Sequence, residues 1–230
     1  YYWIDKHDTT VPLDAGCVIL VNCSNMTIQN LNISCNNWQG VFLIQTINST
    51  IEGNNITSNQ YGIFLLNASN NQIHENYLQN FVSIQFQNSN NNTIHDNTLT
   101  GSGNWGAIGF STSNGNLFYR NNFTDNYIHV LLDEFSVNAW NSSYSIGGNY
   151  WDNYEDRYST ARDESSGPYQ NITGSDGIWD DPWMMNDDNI DKYPIVPEFE
   201  NVLTLTLLMI ITLTLILILK KSIRRQPNQT

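Results

Sequence analysis

The chain has 230 residues, 40% of them hydrophobic, which is enough to bury a core of one or two domains. Four of its nine Lys and Arg residues lie in the last eleven positions, so the rest has five basic and 22 acidic side chains, a net charge of −17. Such a body repels phosphate backbones, which argues against nucleic acid as a partner and favours cations or neutral polymers such as glycans.

A repeat of 21 to 24 residues fills the stretch 1–146. One Ile or Phe serves as the reference position of each copy: Ile28, Ile51, Ile73, Ile94 and Phe118. Apolar residues stand ten and eight positions before each reference residue, and another stands five positions after it. One copy cannot bury these side chains alone, so neighbouring copies must stack and share a core. The repeat predicts an all-β fold, a parallel β-helix of about six turns, the sixth degenerate.

Asparagine recurs three positions after the reference residue in four copies: Asn54, Asn76, Asn97 and Asn121. Asn tolerates left-handed backbone and hydrogen-bonds its own turn, so it suits the bends between strands. Equivalent positions of stacked turns lie about 4.8 Å apart. We therefore expect these side chains to form an internal amide ladder.

The position directly after the reference residue holds Glu52, His74 and His95 in three consecutive copies. Side chains alternate along a strand, so this column points outward while the reference residue points inward. Two imidazoles and a carboxylate about one strand spacing apart could bind copper or zinc. The outer copies have Gln29 and Tyr119 in the same column, which favours a plain polar surface instead. Both interpretations stay open.

An acid follows each of these histidines, Glu75 after His74 and Asp96 after His95. Neighbours on a strand point to opposite sides, so we expect neither acid to orient its own histidine as a triad carboxylate does. The sequence thus argues against catalysis by either pair.

Aromatic residues precede the first strand of four copies at nearly the same repeat position: Trp38, Tyr61, Phe81 and Trp105. A row of aromatic rings interleaved with Asn and Gln along one edge of the solenoid suits stacking on sugar rings. The alternative is that the rings pack over the turns and shield the core. The sequence leaves both open.

The segment 147–199 lacks the repeat and holds many aromatics and more than half of the acidic residues. A solenoid needs its open end covered, so we expect this segment to be a C-terminal cap. Hard oxygen ligands at this density suit Ca²⁺, although Asp-rich loops also form ordinary turns. The candidate calcium ligands are Asp176, Asp180, Asp181, Asp187, Asp188 and Asp191.

The stretch 200–219 includes an uncharged run, VLTLTLLMIITLTLILIL, long enough for a single transmembrane helix. The basic tail 220–230 follows, and the positive-inside rule places it in the cytoplasm, with the body outside the cell. An outside body needs a signal peptide, so we expect a processed or missing N-terminal segment. Several glycosylation sequons would suit a surface protein: Asn25, Asn48, Asn55, Asn67, Asn122, Asn141 and Asn171.

Five runs resemble a known family: VPLDAGCVILVNCSNMTIQNLNIS, NSTIEGNNITSNQYGIFLL, GGNYWDNY, GPYQNITGSDGIWDDPW and DNIDKYP. They are similar to NosD-type right-handed β-helix proteins, which have the pectin-lyase-like fold and repeats described as carbohydrate-binding and sugar-hydrolase modules. The resemblance covers about 1–199. The PEF at 197–199, before the apolar run, is similar to C-terminal anchors of archaeal surface proteins. The family name implies periplasmic copper delivery to nitrous oxide reductase.

From the residues and the resemblance together we expect a membrane-anchored extracellular protein that binds a glycan or cell-envelope component without cleaving it. A NosD-type copper-binding accessory protein is the alternative. A polysaccharide lyase or hydrolase is a second alternative. It is disfavoured because lyases of the resembled fold use a basic residue, and the repeats after Lys6 contain only Arg120.

Overall fold

Three parallel sheets run along the chain in the computed structural model, which describes residues 1–34 and 36–197. Strands are numbered β1 to β22 in chain order. The first sheet contains β1 (Tyr2–Ile4), β2 (Val18–Val21), β5 (Gln39–Ile44), β8 (Tyr61–Leu66), β11 (Val82–Gln87), β14 (Ile108–Ser111) and β17 (Val130–Leu131). The second contains β3 (Thr27–Gln29), β6 (Thr50–Glu52), β9 (Gln72–His74), β12 (Thr93–His95) and β15 (Leu117–Tyr119). The third contains β4 (Asn32–Ile33), β7 (Asn55–Thr57), β10 (Tyr77–Gln79), β13 (Thr98–Thr100), β16 (Asn122–Thr124) and β18 (Tyr150–Trp151).

The register of these sheets confirms the predicted columns. Val41 pairs with Ile63 in the first sheet, and Ile73 pairs with Ile94 in the second. All five reference residues are fully buried. The fold is therefore a parallel β-solenoid, as the repeat predicted, while the right-handed coil stays a prediction.

Five turns carry a strand in every sheet, from β2–β4 to β14–β16. The predicted degenerate turn follows them and consists of β17, a bridge between Leu117 and Ala139, and β18. A partial turn also precedes them, made of β1 and bridges at His7 and Thr10. The repeat did not reveal this first turn because it is shorter: Thr10 pairs with Thr27, 17 residues later rather than 21 to 24.

The predicted amide ladder forms and lies in the solenoid interior. The Oδ1 atom of Asn97 accepts the backbone N–H of Asn76 at 3.0 Å and the side-chain amide of Asn76 at 2.9 Å. Asn97 Nδ2 in turn donates to the carbonyls of Ile73 and His95 at 2.8 and 2.9 Å. Each polar atom of the buried amide therefore has a partner, which offsets the cost of removing it from water.

A second ladder lies beside the first and was not predicted. It uses the position two residues before the reference, and its members are Ser49, Asn71, Asn92, Asn116 and Asn138. The side-chain amide of Asn92 donates to Asn116 Oδ1 at 3.0 Å, in the same manner as the first ladder. The first ladder also continues beyond Asn121 to Asn149.

The cap consists of a short helix, α1, and two antiparallel hairpins. The helix spans Tyr154–Arg157, and the hairpins are β19 (Ser165–Ser166) with β20 (Ile172–Thr173), and β21 (Trp183–Asn186) with β22 (Asn189–Asp191). The hydrophobic core continues into it through stacked rings. Phe123 lies 4.3 Å from Trp151, and Trp151 lies 5.2 Å from Trp183 between ring centroids.

Strand β22 ends both amide ladders. Asn189 Oδ1 accepts the backbone N–H of Asn138 at 3.0 Å, and Asp191 Oδ2 accepts the backbone N–H of Asn149 at 2.7 Å. The two residues are two positions apart on one strand, so they face the same side. Asp191 also accepts the indole N–H of Trp151 at 3.1 Å. An acid suits this last position of the ladder because the groups that contact Asp191 are all hydrogen-bond donors. Its two oxygens can accept these bonds, and the side-chain N–H of an asparagine is not needed.

The predicted transmembrane helix at 200–219 and the basic tail at 220–230 lie outside the described residues. Among residues 1–34 and 36–197, no helix is long and apolar enough to cross a membrane.

Replacing Asn121 by Ala should lower the free energy of unfolding by roughly 3 kcal/mol, because it leaves the buried backbone N–H of Asn97 without an acceptor and removes the side-chain bonds of Asn121 to Asn97 and to the carbonyl of Ile94. Asn122→Ala is the matched control: the next residue, of the same type, is exposed, so about 0.5 kcal/mol or less is expected. Urea unfolding of the full chain measures both. Equal effects would contradict a stabilising ladder.

Asp191 should make stability depend on pH, because burial raises the pKa of its carboxyl from 3.8 to about 7. Between these values the folded protein holds a proton that the unfolded chain releases. The contribution of Asp191 is therefore most favourable below about pH 4, declines as pH rises to about 7, and is constant above that.

Unfolding free energies of the wild type and Asp191→Asn, measured from pH 4 to 8, check this contribution, since the amide cannot ionise. The wild-type value should fall relative to the variant value across pH 4 to 7. A difference that does not change with pH would show that Asp191 does not titrate in this range.

Candidate functional site

Three exposed aromatic rings of the predicted row lie along one edge of the solenoid. The exposed fractions are 65% for Trp38, 38% for Phe81 and 53% for Trp105. Phe81 and Trp105 touch edge to face with centroids 6.1 Å apart. We call this surface, with a fourth residue described next, the aromatic edge.

Tyr127 is the fourth residue of the aromatic edge and was missed by the sequence prediction. It is 77% exposed, and its backbone N–H donates to the carbonyl of Ser102 in the preceding turn. The sequence did carry a signal. Tyr127 stands three residues before Val130 in the first sheet, just as Trp38 stands three residues before Val41.

Tyr61 departs from the predicted row. It pairs with Gln39 and Val82, one position later than Trp38, and its ring is only 9% exposed because neighbouring rings cover it. The ring packs 5.1 Å from that of Phe64. Tyr61 therefore supports the edge from below, in contact with Trp38 at 6.0 Å.

A small pocket of about 380 Å³ adjoins Trp38. Its other walls are uncharged polar side chains: Asn36, Asn37, Ser58, Asn59 and Gln60. An exposed indole beside amide and hydroxyl groups combines an apolar face with hydrogen-bond donors and acceptors.

The second candidate surface is the outward column of Glu52, His74 and His95, which the structure brings together as predicted. Glu52 Oε2 lies 3.5 Å from His74 Nε2. The rings of His74 and His95 stack with centroids 4.9 Å apart and planes 8° apart. Tyr119 continues the stack on the other side of His95 at 4.9 Å.

Asp96 contacts its own histidine, contrary to the prediction. Its Oδ2 atom lies 2.7 Å from His95 Nδ1, and its Oδ1 atom lies 2.9 Å from Arg120 Nη2. The alternation rule failed here because β12 ends at His95, and Asp96 has a φ of 53° in the following bend. A left-handed residue reverses the chain locally and turns its side chain back. The corresponding distance from His74 Nδ1 to Glu75 Oε1 is longer, at 3.9 Å.

Comparison with known protein families identifies the solenoid. Residues 7–156, more than half of the chain, match the family described as "Periplasmic copper-binding protein (NosD)". The chain belongs to the NosD family. No curated protein and no solved structure matches the sequence.

The family description raises the question of whether this NosD protein has a site for copper. Imidazole and carboxylate groups are suitable ligands. However, ring nitrogens present their lone pairs in the ring plane, and the parallel planes of His74 and His95 direct these pairs side by side rather than toward one point. Asp96 already engages His95 Nδ1. In the part of the chain that the structure describes, no three His, Cys, Asp or Glu side chains are grouped to hold a metal ion.

One nitrogen of the histidine column makes no hydrogen bond. His74 Nδ1 is buried without a hydrogen bond, which is unusual for a polar atom. The column is therefore a stacked surface with one unsatisfied nitrogen, not a closed coordination site.

The candidate calcium ligands in the cap of this NosD protein take separate roles. Asp176 accepts hydrogen bonds from Tyr144 and Gln170, and Asp180 accepts from the backbone of Glu164 and Ser165. Asp191 is buried at the end of the first ladder. The others, Asp181, Asp187 and Asp188, are exposed. The structure gives a calcium site no support, and Ca²⁺ binding stays a prediction.

Proposed function

We propose that this NosD-family protein binds neutral glycans along the aromatic edge. The supporting observation is that Trp38, Phe81, Trp105 and Tyr127 are exposed at equivalent positions of the repeat. A large apolar side chain that stays exposed loses roughly 1.5–3 kcal/mol of burial free energy. Single exposed side chains of this kind are nevertheless common in proteins. Four such side chains on one edge of the solenoid, with Phe81 and Trp105 in contact, exceed the usual scatter of single exposed residues, and an exposed apolar patch is typical of a binding site.

The chemistry of the edge suits sugars. Pyranose rings present C–H groups on their faces and hydroxyl groups at their rims. Aromatic rings can cover the faces, while Asn37, Ser58 and Gln60 beside Trp38 can exchange hydrogen bonds with the hydroxyls. The body charge of −17 repels polyanions, so a mostly neutral polymer is the favoured ligand.

The apolar stretch 200–219 and the basic tail 220–230 supply the proposed location. We propose a single-pass anchor with a cytoplasmic C-terminus, which holds the solenoid outside the cell, where envelope glycans occur. The family description as periplasmic is consistent with an external body. Glycosylation of the solenoid stays a prediction, and polysaccharide cleavage stays the disfavoured second alternative.

Trp38→Ala and Trp105→Ala should each weaken glycan binding about fivefold, since stacking on one ring contributes about 1 kcal/mol. The double variant should lose detectable binding on a glycan array and by calorimetry. Phe135→Ala is the matched control, because Phe135 is 67% exposed but does not belong to the aromatic edge. Unchanged binding in the double variant would contradict the proposal.

Copper binding by the histidine column is a second candidate function. The observations in its favour are the family match and the unpartnered Nδ1 of His74, next to His95 and Glu52. Binding requires the two rings to leave their parallel arrangement.

Calorimetric titration of the full chain with Cu²⁺ tests this candidate. One equivalent should bind to the wild type, and none to a His74→Ala/His95→Ala double variant. His7→Ala is the control, because His7 is exposed and contacts Ser24 on the first, partial turn. Absence of saturable binding to the wild type, or equal binding to the double variant, would reject the histidine column as a copper site.

A further inference from the structure

A larger cavity, of about 500 Å³, lies where the last turn of the solenoid meets the cap. Residues around β17, α1 and β21 border it, among them Tyr127, His129, Asn153, Arg157 and Trp183. We call it the junction cavity. Tyr127 belongs both to this cavity and to the aromatic edge, so the two surfaces adjoin.

Arg157 is the distinctive residue of the junction cavity. Its guanidinium carbon lies 4.4 Å above the ring of Trp183, and Nη2 donates to the carbonyl of Met184. Among the described residues, no carboxylate lies within 4.0 Å of its nitrogens. By contrast, Arg120 and Arg162 pair with Asp96 and Glu164 at 2.9 and 3.2 Å.

An unpaired arginine is notable in a body with five basic and 22 acidic residues. The guanidinium group presents several N–H donors in one plane, a geometry that matches a carboxylate. Held by Trp183 on one face, the exposed Arg157 lines a cavity in which the carboxylate of a ligand can accept hydrogen bonds from its other N–H groups.

His129 forms a neutral wall of the same cavity. Its Nε2 atom lies 2.8 Å from Asn153 Oδ1 and 3.0 Å from Asp152 Oδ1, and both oxygens are acceptors, so Nε2 carries the hydrogen. Burial lowers the pKa of His129 below 6.5 despite the nearby Asp152. Among the described residues that line the cavity, Arg157 therefore provides the permanent charge.

We propose that the junction cavity binds a carboxylated sugar, a pyranose with one acidic group, at the end of a glycan whose neutral part lies along the aromatic edge. The placement of the neutral part rests on the proposed function. Arg157 holds the carboxylate, and Tyr127 covers the ring face. A single carboxylate gains the contact with Arg157, whereas a polyanion meets the full repulsion of the acidic body.

Calorimetric titrations of the full chain with glucuronic acid and with glucose, performed separately, test the junction cavity. They do so independently of the aromatic edge. Glucuronic acid should bind at least about tenfold more tightly than glucose, because charged hydrogen bonds are the stronger ones. Arg157→Gln should abolish this preference. Arg162→Gln, with the same loss of charge in the same cap, should keep it.

Tyr127→Ala is a second variant that tests the cavity even if Arg157→Gln does not fold. Because Tyr127 is largely exposed, its replacement should leave the fold intact. It should weaken glucuronic acid binding several-fold with an unchanged thermal midpoint. The cavity assignment is overturned if glucuronic acid and glucose bind alike, or if both arginine variants behave the same. Trp38→Ala/Trp105→Ala should retain glucuronic acid binding while losing neutral oligosaccharides, so a failure of the cavity and a failure of the edge give different results.

Discussion

Satisfaction of buried amides is the constraint on which this solenoid depends. A β-helix turn of 21 to 24 residues bends sharply several times, and each bend brings polar backbone groups into the interior. The ladder asparagines pair with these groups and with one another, as in the contacts from Asn76 to Asn97. Each turn thereby fixes the register of the next, and the outward columns follow from that register.

Periodic ladders need an end, and the cap provides it. Asn189 and Asp191 take the last places of the two ladders, while Trp183 extends the ring stack of the core. The same hairpin carries Met184 and Trp183, which hold Arg157 at the junction cavity. Closure of the solenoid and formation of this cavity therefore depend on the same few residues.

The sequence predicted most of the solenoid because its columns repeat, and repetition makes inward positions recognisable without a structure. It predicted less at the bends between strands. Tyr61 stands one position later than Trp38 and is buried against Trp38 and Phe64. Asp96 turns back toward His95 because its backbone is left-handed, as is that of the equivalent Glu75 and Arg120. Side-chain alternation holds only as long as the strand continues, so it cannot predict contacts at a bend.

The cap was predicted only in outline. Its role as the ladder terminus depends on contacts such as that between Asp191 and Asn149, 42 residues apart, for which the chain has no repeating signal. For the same reason the junction cavity could not be predicted, since it combines residues from β17, α1 and β21. Tyr127 was predictable in principle from its spacing to Val130.

The most direct test of glycan binding on the aromatic edge is an NMR titration that follows the indole N–H signals of the tryptophans. Neutral oligosaccharides of glucose, mannose, galactose and N-acetylglucosamine would be added in turn to the full chain. The signals of Trp38 and Trp105 should shift with a binding member of the panel. Those of Trp140 and Trp151, which donate to Asn189 and Asp191 inside the ladders, should not. If no oligosaccharide moves the Trp38 and Trp105 signals, the aromatic edge is not a glycan site.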